Sequence, residues 1–161
     1  MNFNNTSVRR QDRLLSQARA EELIDAAEYG ILSMVSTDGG GYGLPLSFVR
    51  EADHLYFHCA PEGEKLRCLA RNPRATFCIV GRTHVLPGRF TTEYESVLLR
   101  GEAGVVADDA ERMHALELLL GKYCPQDLTI GRKYAEKSFH RTAILRLDVQ
   151  SVSAKSKAVR G

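Results

Sequence analysis

The sequence predicts a mainly β fold with flanking helices, best fitted by a closed or split β-barrel, and three observations carry that expectation. Apolar, β-branched-rich segments of strand length recur along most of the chain. Most links between them are too short for parallel crossovers, so the sheet should be mainly antiparallel. One segment, YESVLLRGEAGVVA, is long enough to curve around a barrel wall.

Composition sets the outer bounds. The chain has 161 residues, 43% apolar and 26% charged, which is ordinary for one globular domain spanning 1–161. With 22 basic against 20 acidic residues the net charge is +2, so nothing in the balance calls for nucleic acid or an anionic membrane as a partner. No window approaches ~18 apolar residues. The start MNFNNTSVRRQDR lacks the apolar core of a signal peptide, so the expected location is cytoplasmic. Cys59, Cys68, Cys78 and Cys124 form no C-x-x-C pair and read as reduced, buried thiols, with no zinc site expected.

The elements follow in order. An N-terminal arm, 1–15, is polar and expected to be loose until it meets a partner surface. Residues 18–29 place Ala20, Leu23, Ile24 and Ala27 on one helical face, with Gly30 positioned to stop the helix. The strand ILSMVST, the turn DGGGYG and the strand LPLSFVRE make a hairpin. In residues 54–60, Leu55, Phe57 and Cys59 alternate with His54, Tyr56, His58 and Ala60, so one face should be core and the other free for ligand or solvent. Residues 64–71 form a short helix closed by Asn72-Pro73. Strands ATFCIVG and YESVLLRGEAGVVA are joined through VLPGRFTT. Asp108 or Asp109 caps a helix carrying Met113, Leu116, Leu119 and Leu120. A less regular helix near 131–140, the strand AILRLDVQSVS and a basic tail, 155–161, complete the chain. The arm and the tail contain few apolar residues and should be dispensable for folding.

Three places invite chemistry. In YFHCAPEGEKL, residues 56–66, a strand empties directly into a Gly-Glu-Lys helix start. Basic side chains such as Lys65 and Arg67 are mildly unfavourable in a first helical turn unless an anion is near, and a phosphate would relieve that. The alternative is a solvated turn in which Glu62 and Glu64 neutralise the two bases. Pro45 removes a ladder hydrogen bond from an apolar strand, which marks either an edge strand or a place where a planar ligand lies alongside. His58 and His54 share a strand face but stand too far apart for one metal ion without a bend. Cys59 and Ala60 are small and would let a ring approach the backbone.

Taken together, YGLPLSFV, YFHCAPEGEKLRCLARNPRATFCIVG and FTTEYESVLLRGEA resemble the nitroimidazole-resistance (NimA-type) proteins of the pyridoxamine 5'-phosphate oxidase-like superfamily. The resemblance runs from about Arg9 to the final strand. It implies a split-barrel homodimer with FMN at the subunit interface and a small-molecule substrate, an oxidoreductase passing electrons from a reduced donor to an acceptor such as a nitroaromatic compound. Pro45, Leu46 and Ser47 would line the isoalloxazine. His58, Cys59 and Ala60 would lie beside the flavin and its ribityl chain, Lys65 would hold the phosphate, and Ser96 would reach the partner's flavin. Imidazoles exchange protons near neutral pH, which makes His58 the candidate for proton delivery, beside the alternative that it only packs on the cofactor. The resemblance leaves FAD open. It also leaves two other classes, a non-catalytic flavin-binding dimer and a haem-binding split barrel with His54, His58, His84 or His140 as axial ligand. One position departs from the pattern: Glu64 stands where NimA-type proteins carry histidine and related oxidases arginine, and a carboxylate repels a phosphate.

Overall fold

The structure is a computed structural model that describes residues 1–6 and 8–158. Helix α1 spans Gln17–Ala26 and is capped by Ser16, whose hydroxyl accepts from the Arg19 amide at 3.3 Å. Ala20, Leu23 and Ile24 turn its apolar face into the core. The helix stops at Ala26, before Gly30. That glycine lies within β1 (Tyr29–Val35), where a Cβ would stand 2.6 Å from the Phe77 ring and 2.7 Å from the Cys78 carbonyl oxygen. Gly30 therefore serves close packing rather than helix termination.

Strand β2 (Gly41–Ser47) forms the expected hairpin with β1. The segment LPLSFVRE is not one strand: Phe48 interrupts it, and β3 (Val49–Glu51) departs to pair with β4 (His54–Cys59). After α2 (Glu64–Arg71) come β5 (Arg74–Leu86) and β6 (Thr91–Val105), both longer than the sequence indicates. Helix α3 (Asp109–Tyr123) starts at Asp108, whose carboxylate accepts from the Glu111 amide at 2.8 Å. Helix α4 (Leu128–Ser138) and β7 (Ala143–Lys157) end the fold.

Among the described residues the strands make one seven-stranded sheet in the order β2-β1-β5-β6-β7-β4-β3, with every neighbouring pair antiparallel. Strands β2 and β3 occupy its two edges although a single residue separates them. The sheet must curl until its edges meet, giving the split β-barrel. Inside it Phe77 packs edge-on against Phe48 at 4.8 Å and Phe57 at 5.1 Å between centroids, all three fully buried. Such aromatic pairs add about 0.5–1.5 kcal/mol each beyond area burial.

A second core lies outside the barrel, where Val49, Tyr56 and Ile144 pack beneath Ala115 and Leu119 of α3. The His54–Tyr56–His58 face is thus covered at its middle rather than free along its length. The buried Tyr56 hydroxyl donates to Glu111 at 3.0 Å, and Arg146 donates to the same carboxylate at 2.7 Å. Burial, reinforced by Glu111, pushes the Tyr56 phenol up to about 12. Of the thiols only Cys68 is fully buried; Cys59 and Cys78 are half-buried and Cys124 is exposed. Among the described residues no helix is long and apolar enough to cross a membrane.

The termini are more engaged than their composition indicates. Strand β4 covers only the Ala143 to Asp148 side of β7, and the N-terminal arm takes the remaining edge. The Asn4 amide donates to the Val152 carbonyl at 2.8 Å, and the Leu15 amide to that of Ala154 at 3.1 Å. Lys155, Ser156 and Lys157 belong to β7, opposite Ser96, Glu95 and Tyr94. Residues 159–161 of the expected tail lie outside the described residues. A chain ending at Ala154 loses three cross-strand pairs, about 1–3 kcal/mol in all. Its melting temperature should fall by roughly 3–10 °C relative to a chain ending at Ala158, read by circular dichroism. Equal melting temperatures would mean that the end of β7 is not held by the ladder.

Candidate functional site

The short edge strand β3 leaves the end of β4 uncovered near the end of β2, where Ser47 and His58 line one cavity, and the sequence-predicted residues other than Ser96 lie on these two strand ends and the helix start that follows. On β2, Pro45 and Ser47 share an exposed face, while Leu46 turns inward and packs against the barrel core. Pro45 stands opposite Ile31 of β1, and β2 has no neighbour on its other side, so the missing N–H is tolerated as edge strands allow. On β4, His58 is exposed opposite Ile144, and its imidazole makes no hydrogen bond to a described residue. Cys59 is half-buried, and Ala60 follows it into the turn.

That turn ends at Gly63, the N-cap of α2, which holds φ 138 with open space where a Cβ would be. A glycine cap brings no side chain to the first amides of the helix, which therefore point outward uncapped. Lys65 is half-buried beside Cys59. Burial raises the thiol's pKa, and the ammonium pulls it partly back. Among the described residues neither Glu62 nor Glu64 pairs with Lys65 or Arg67. Uncapped amides and an unpaired amine are the components of an anion site.

Ser96 is not brought to this place. It sits half-buried on β6 between Val80 of β5 and Lys155 of β7, and Val80 is 61% exposed. The histidines are also dispersed. His54 Nδ1 lies 2.8 Å from Asp148 Oδ1 but off the line a hydrogen bond needs, and His84 lies 3.2 Å from Glu93.

The sequence reading missed the helical side of the site. A cavity of about 270 Å³ opens between Ser47 and His58 on the strands and Leu116, Leu119 and Leu120 of α3, closed by α4. The apolar spacing in α3 marked those leucines as buried without indicating what they face. At the end of α3, the Tyr123 hydroxyl accepts from the Phe48 amide at 2.9 Å. It lies 2.6 Å from the Glu28 carbonyl and 2.8 Å from that of Phe48, donating to one of them at a time. The helix is thereby tied to the crossing from β2 to β3.

Residues 16–156 match the family model described as pyridoxamine 5'-phosphate oxidase. The chain belongs to this family. No curated protein matches at a comparable level. Among solved structures, a candidate 5-nitroimidazole antibiotic resistance protein from Bacteroides thetaiotaomicron is 23% identical with a TM-score of 0.77, over 89% of this chain and 86% of that one. A flavocytochrome from Azotobacter vinelandii is 21% identical with a TM-score of 0.75, over 89% and 68%. An FAD and haem binding protein from Mycobacterium smegmatis is 26% identical with a TM-score of 0.68, over 89% and 72%. These are likenesses of fold, and they match the split barrel described above.

One further amine belongs to the site of this family member. Lys122 holds its ammonium 3.9 Å from the Phe48 ring centroid and 5.5 Å from that of Tyr123, beside a second cavity of about 520 Å³ that also touches Ser47. It has no ion-pair partner among the described residues, because Asp25 is taken by Arg50. Burial lowers its pKa from 10.5 to about 8, with Asp25 opposing the shift. A lowered folded-state value means that the cost of housing the charged form is full below about pH 8 and vanishes above 10.5. Lys122→Met should therefore gain stability relative to the unsubstituted protein at pH 7 and lose that advantage by pH 10.5. Urea midpoints at both pH values check this, and an unchanged gap between the two proteins would rule out burial of the charge as its source.

Proposed function

We propose that the protein is an FMN-binding oxidoreductase of the nitroimidazole-resistance type, passing electrons from a reduced donor to a small acceptor such as a nitroaromatic compound. The observation that carries this reading is the pairing of His58, unbonded at the end of β4, with the unpaired Lys65 at an uncapped helix start five residues beyond the strand. In this reading the strand end would form a wall for a ring system, and the helix start that follows would take the anion. The A. vinelandii flavocytochrome and the FAD and haem binding protein of M. smegmatis support flavin chemistry on this fold, and the B. thetaiotaomicron protein supports the nitroimidazole-resistance reading.

The flavin would supply the electron-carrying chemistry, and the protein would bind, orient and shield it. Pro45 and Ser47 present a face to the ring, the backbone at Cys59 and Ala60 lies along the ribityl chain, and Lys65 with the α2 amides takes the phosphate. His58 is the proton donor best placed by exposure and lack of partners. FMN, with one phosphate, matches the one helix start among the described residues at which uncapped amides and an unpaired amine meet. The reading includes a cytoplasmic setting, in which the four cysteines would stay reduced.

A second copy of the chain completes the reading. The β5–β6 hairpin exposes Val80, Val85 and Phe90 at 61%, 62% and 97%, and Ser96 stands directly opposite Val80. Covering this surface with a partner protomer would bring Ser96 toward the partner's flavin. The interface expected of such a dimer exceeds about 2,000 Å² in total. Sedimentation of the flavin-loaded protein should give a dimer, and Val85→Asp with Phe90→Asp should shift it toward monomer. A flavin-loaded monomer without these substitutions would contradict the arrangement.

Haem is the second reading, favoured by the likeness to the A. vinelandii flavocytochrome and the M. smegmatis FAD and haem binding protein and by the free imidazole of His58. The visible spectrum of the purified protein separates it from flavin. The decisive experiment is titration of flavin-free protein with FMN and riboflavin. Lys65→Ala should weaken FMN by about 10- to 150-fold, the loss of a charge-assisted contact of roughly 1.5–3 kcal/mol, and leave riboflavin nearly unchanged. Glu64→His should tighten FMN. Equal losses for both ligands on Lys65→Ala would assign Lys65 to the fold instead of the phosphate.

A further inference from the structure

The cavity between α3, α4 and the strand ends is not accounted for by the flavin itself. Its volume, about 270 Å³, compares with the ~150 Å³ that an apolar pocket needs to take up benzene. It has room for one ring with a substituent and too little for three fused rings with a ribityl phosphate. No Asp, Glu, Lys or Arg lines it. Leu116, Leu119, Leu120 and Ala135 supply an apolar wall, and α4 lies close against α3 because position 131 is glycine: a Cβ there would come 2.6 Å from Leu120 Cδ2.

The polar groups inside are already committed. The Ser138 hydroxyl donates to the Tyr134 carbonyl at 2.9 Å and that of Thr142 to the Ser138 carbonyl at 3.0 Å, while the Tyr123 hydroxyl is held between Phe48 and Glu28. Tyr134 and Cys124 sit at the solvent rim, both exposed. At the strand end the Ser47 hydroxyl and the His58 imidazole face the cavity without partners among the described residues. An apolar body with polar groups free at one end selects a neutral ring carrying one polar substituent, and excludes ions, which would be desolvated without compensation.

We propose that this cavity seats the electron acceptor: a single uncharged aromatic ring lies among the α3 and α4 side chains, with its polar substituent turned toward Ser47 and His58. The occupant's role as acceptor rests on the flavin reading; its chemistry rests on the cavity alone. The reducible end of the ring then lies beside the residues assigned to the flavin face, and Leu120 and Ala135 set how large a ring is admitted.

The test uses the flavin-free 161-residue chain titrated with 4-fluoronitrobenzene and followed by fluorine NMR. Saturable binding is expected, with the charged 4-fluorobenzoate binding at least about tenfold more weakly. Ala135→Phe fills the cavity and should weaken the neutral probe by about tenfold. Leu120→Ala enlarges it, without any risk of overpacking, and should improve binding of the two-ring 1-fluoro-4-nitronaphthalene by about fivefold or more. If Ala135→Phe does not fold, Leu120→Ala decides alone. The proposal is overturned if the neutral probe does not saturate, if benzoate binds as well, or if Leu120→Ala leaves the two-ring probe unaffected. FMN titration of the same samples keeps the two readings apart. Probe binding without FMN binding removes the flavin and keeps the neutral-ring cavity, whereas FMN binding without probe binding removes only the acceptor seat.

Discussion

Everything in this fold depends on how the chain crosses from β2 to β3 at Phe48. These strands lie at opposite edges of a seven-stranded sheet. Laid flat, the edges would be six spacings of about 4.8 Å apart, roughly 29 Å. Two Cα steps across one residue reach about 7.6 Å at most. The connection is possible only if the sheet closes on itself, so the barrel is imposed by connectivity as well as by the twist of its strands. Phe48 holds the closure from within, fully buried and edge-on against Phe77. The Tyr123 hydroxyl holds it from outside, engaging the Phe48 backbone.

The candidate site is a consequence of that closure. Where the edges meet they do not hydrogen-bond across the split, and Ser47, beside Phe48, and His58, at the end of β4, are left facing the same space. Helix α3 roofs that space because Tyr123 must reach the crossing, and this brings Lys122 over the Phe48 ring and the α3 leucines over His58. Most charges elsewhere that tie elements together are matched: Arg19 to Glu95, Arg50 to Asp25, Arg146 to Glu111 and Asp148. The two half-buried amines near the split, Lys65 and Lys122, have no such partner among the described residues. Local unpaired positive charge in a concave region is the electrostatic mark of a ligand site more often than of a structural one.

Several of these features could be read from the chain because they depend on neighbours in sequence. The α2 start, the β1–β2 hairpin and the Asp108 cap are local, set by glycine conformation, turn residues and a side chain reaching three positions ahead. Other features depended on partners that sequence spacing does not reveal. Gly30 looks like a helix stop, but its lack of a side chain answers to the Phe77 ring forty-seven residues away. Tyr56 alternates with core residues as a solvent-facing position would, yet α3 covers it. The N-terminal arm is polar by composition and still ordered, because a strand edge rewards any backbone N–H and C=O, whatever the side chains. The cavity under α3 was invisible for the same reason: helical periodicity tells which face is buried, not against what.

Glu64 stands at the helix start where the strand end and the candidate anion site meet. The α2 start has no capping side chain, since Gly63 is required for its φ of 138. A helix with bare N-terminal amides gains from a negative charge in its first turn, by about 0.3–1 kcal/mol. Glu64 is the first residue of α2 and exposed, so it supplies that charge from the protein itself. A histidine or arginine there would leave the amides and Lys65 to be satisfied by the phosphate alone, making an ordered α2 more dependent on bound cofactor. The carboxylate therefore favours a formed helix start without a ligand and, by repulsion, would lower the affinity for any phosphate held at Lys65.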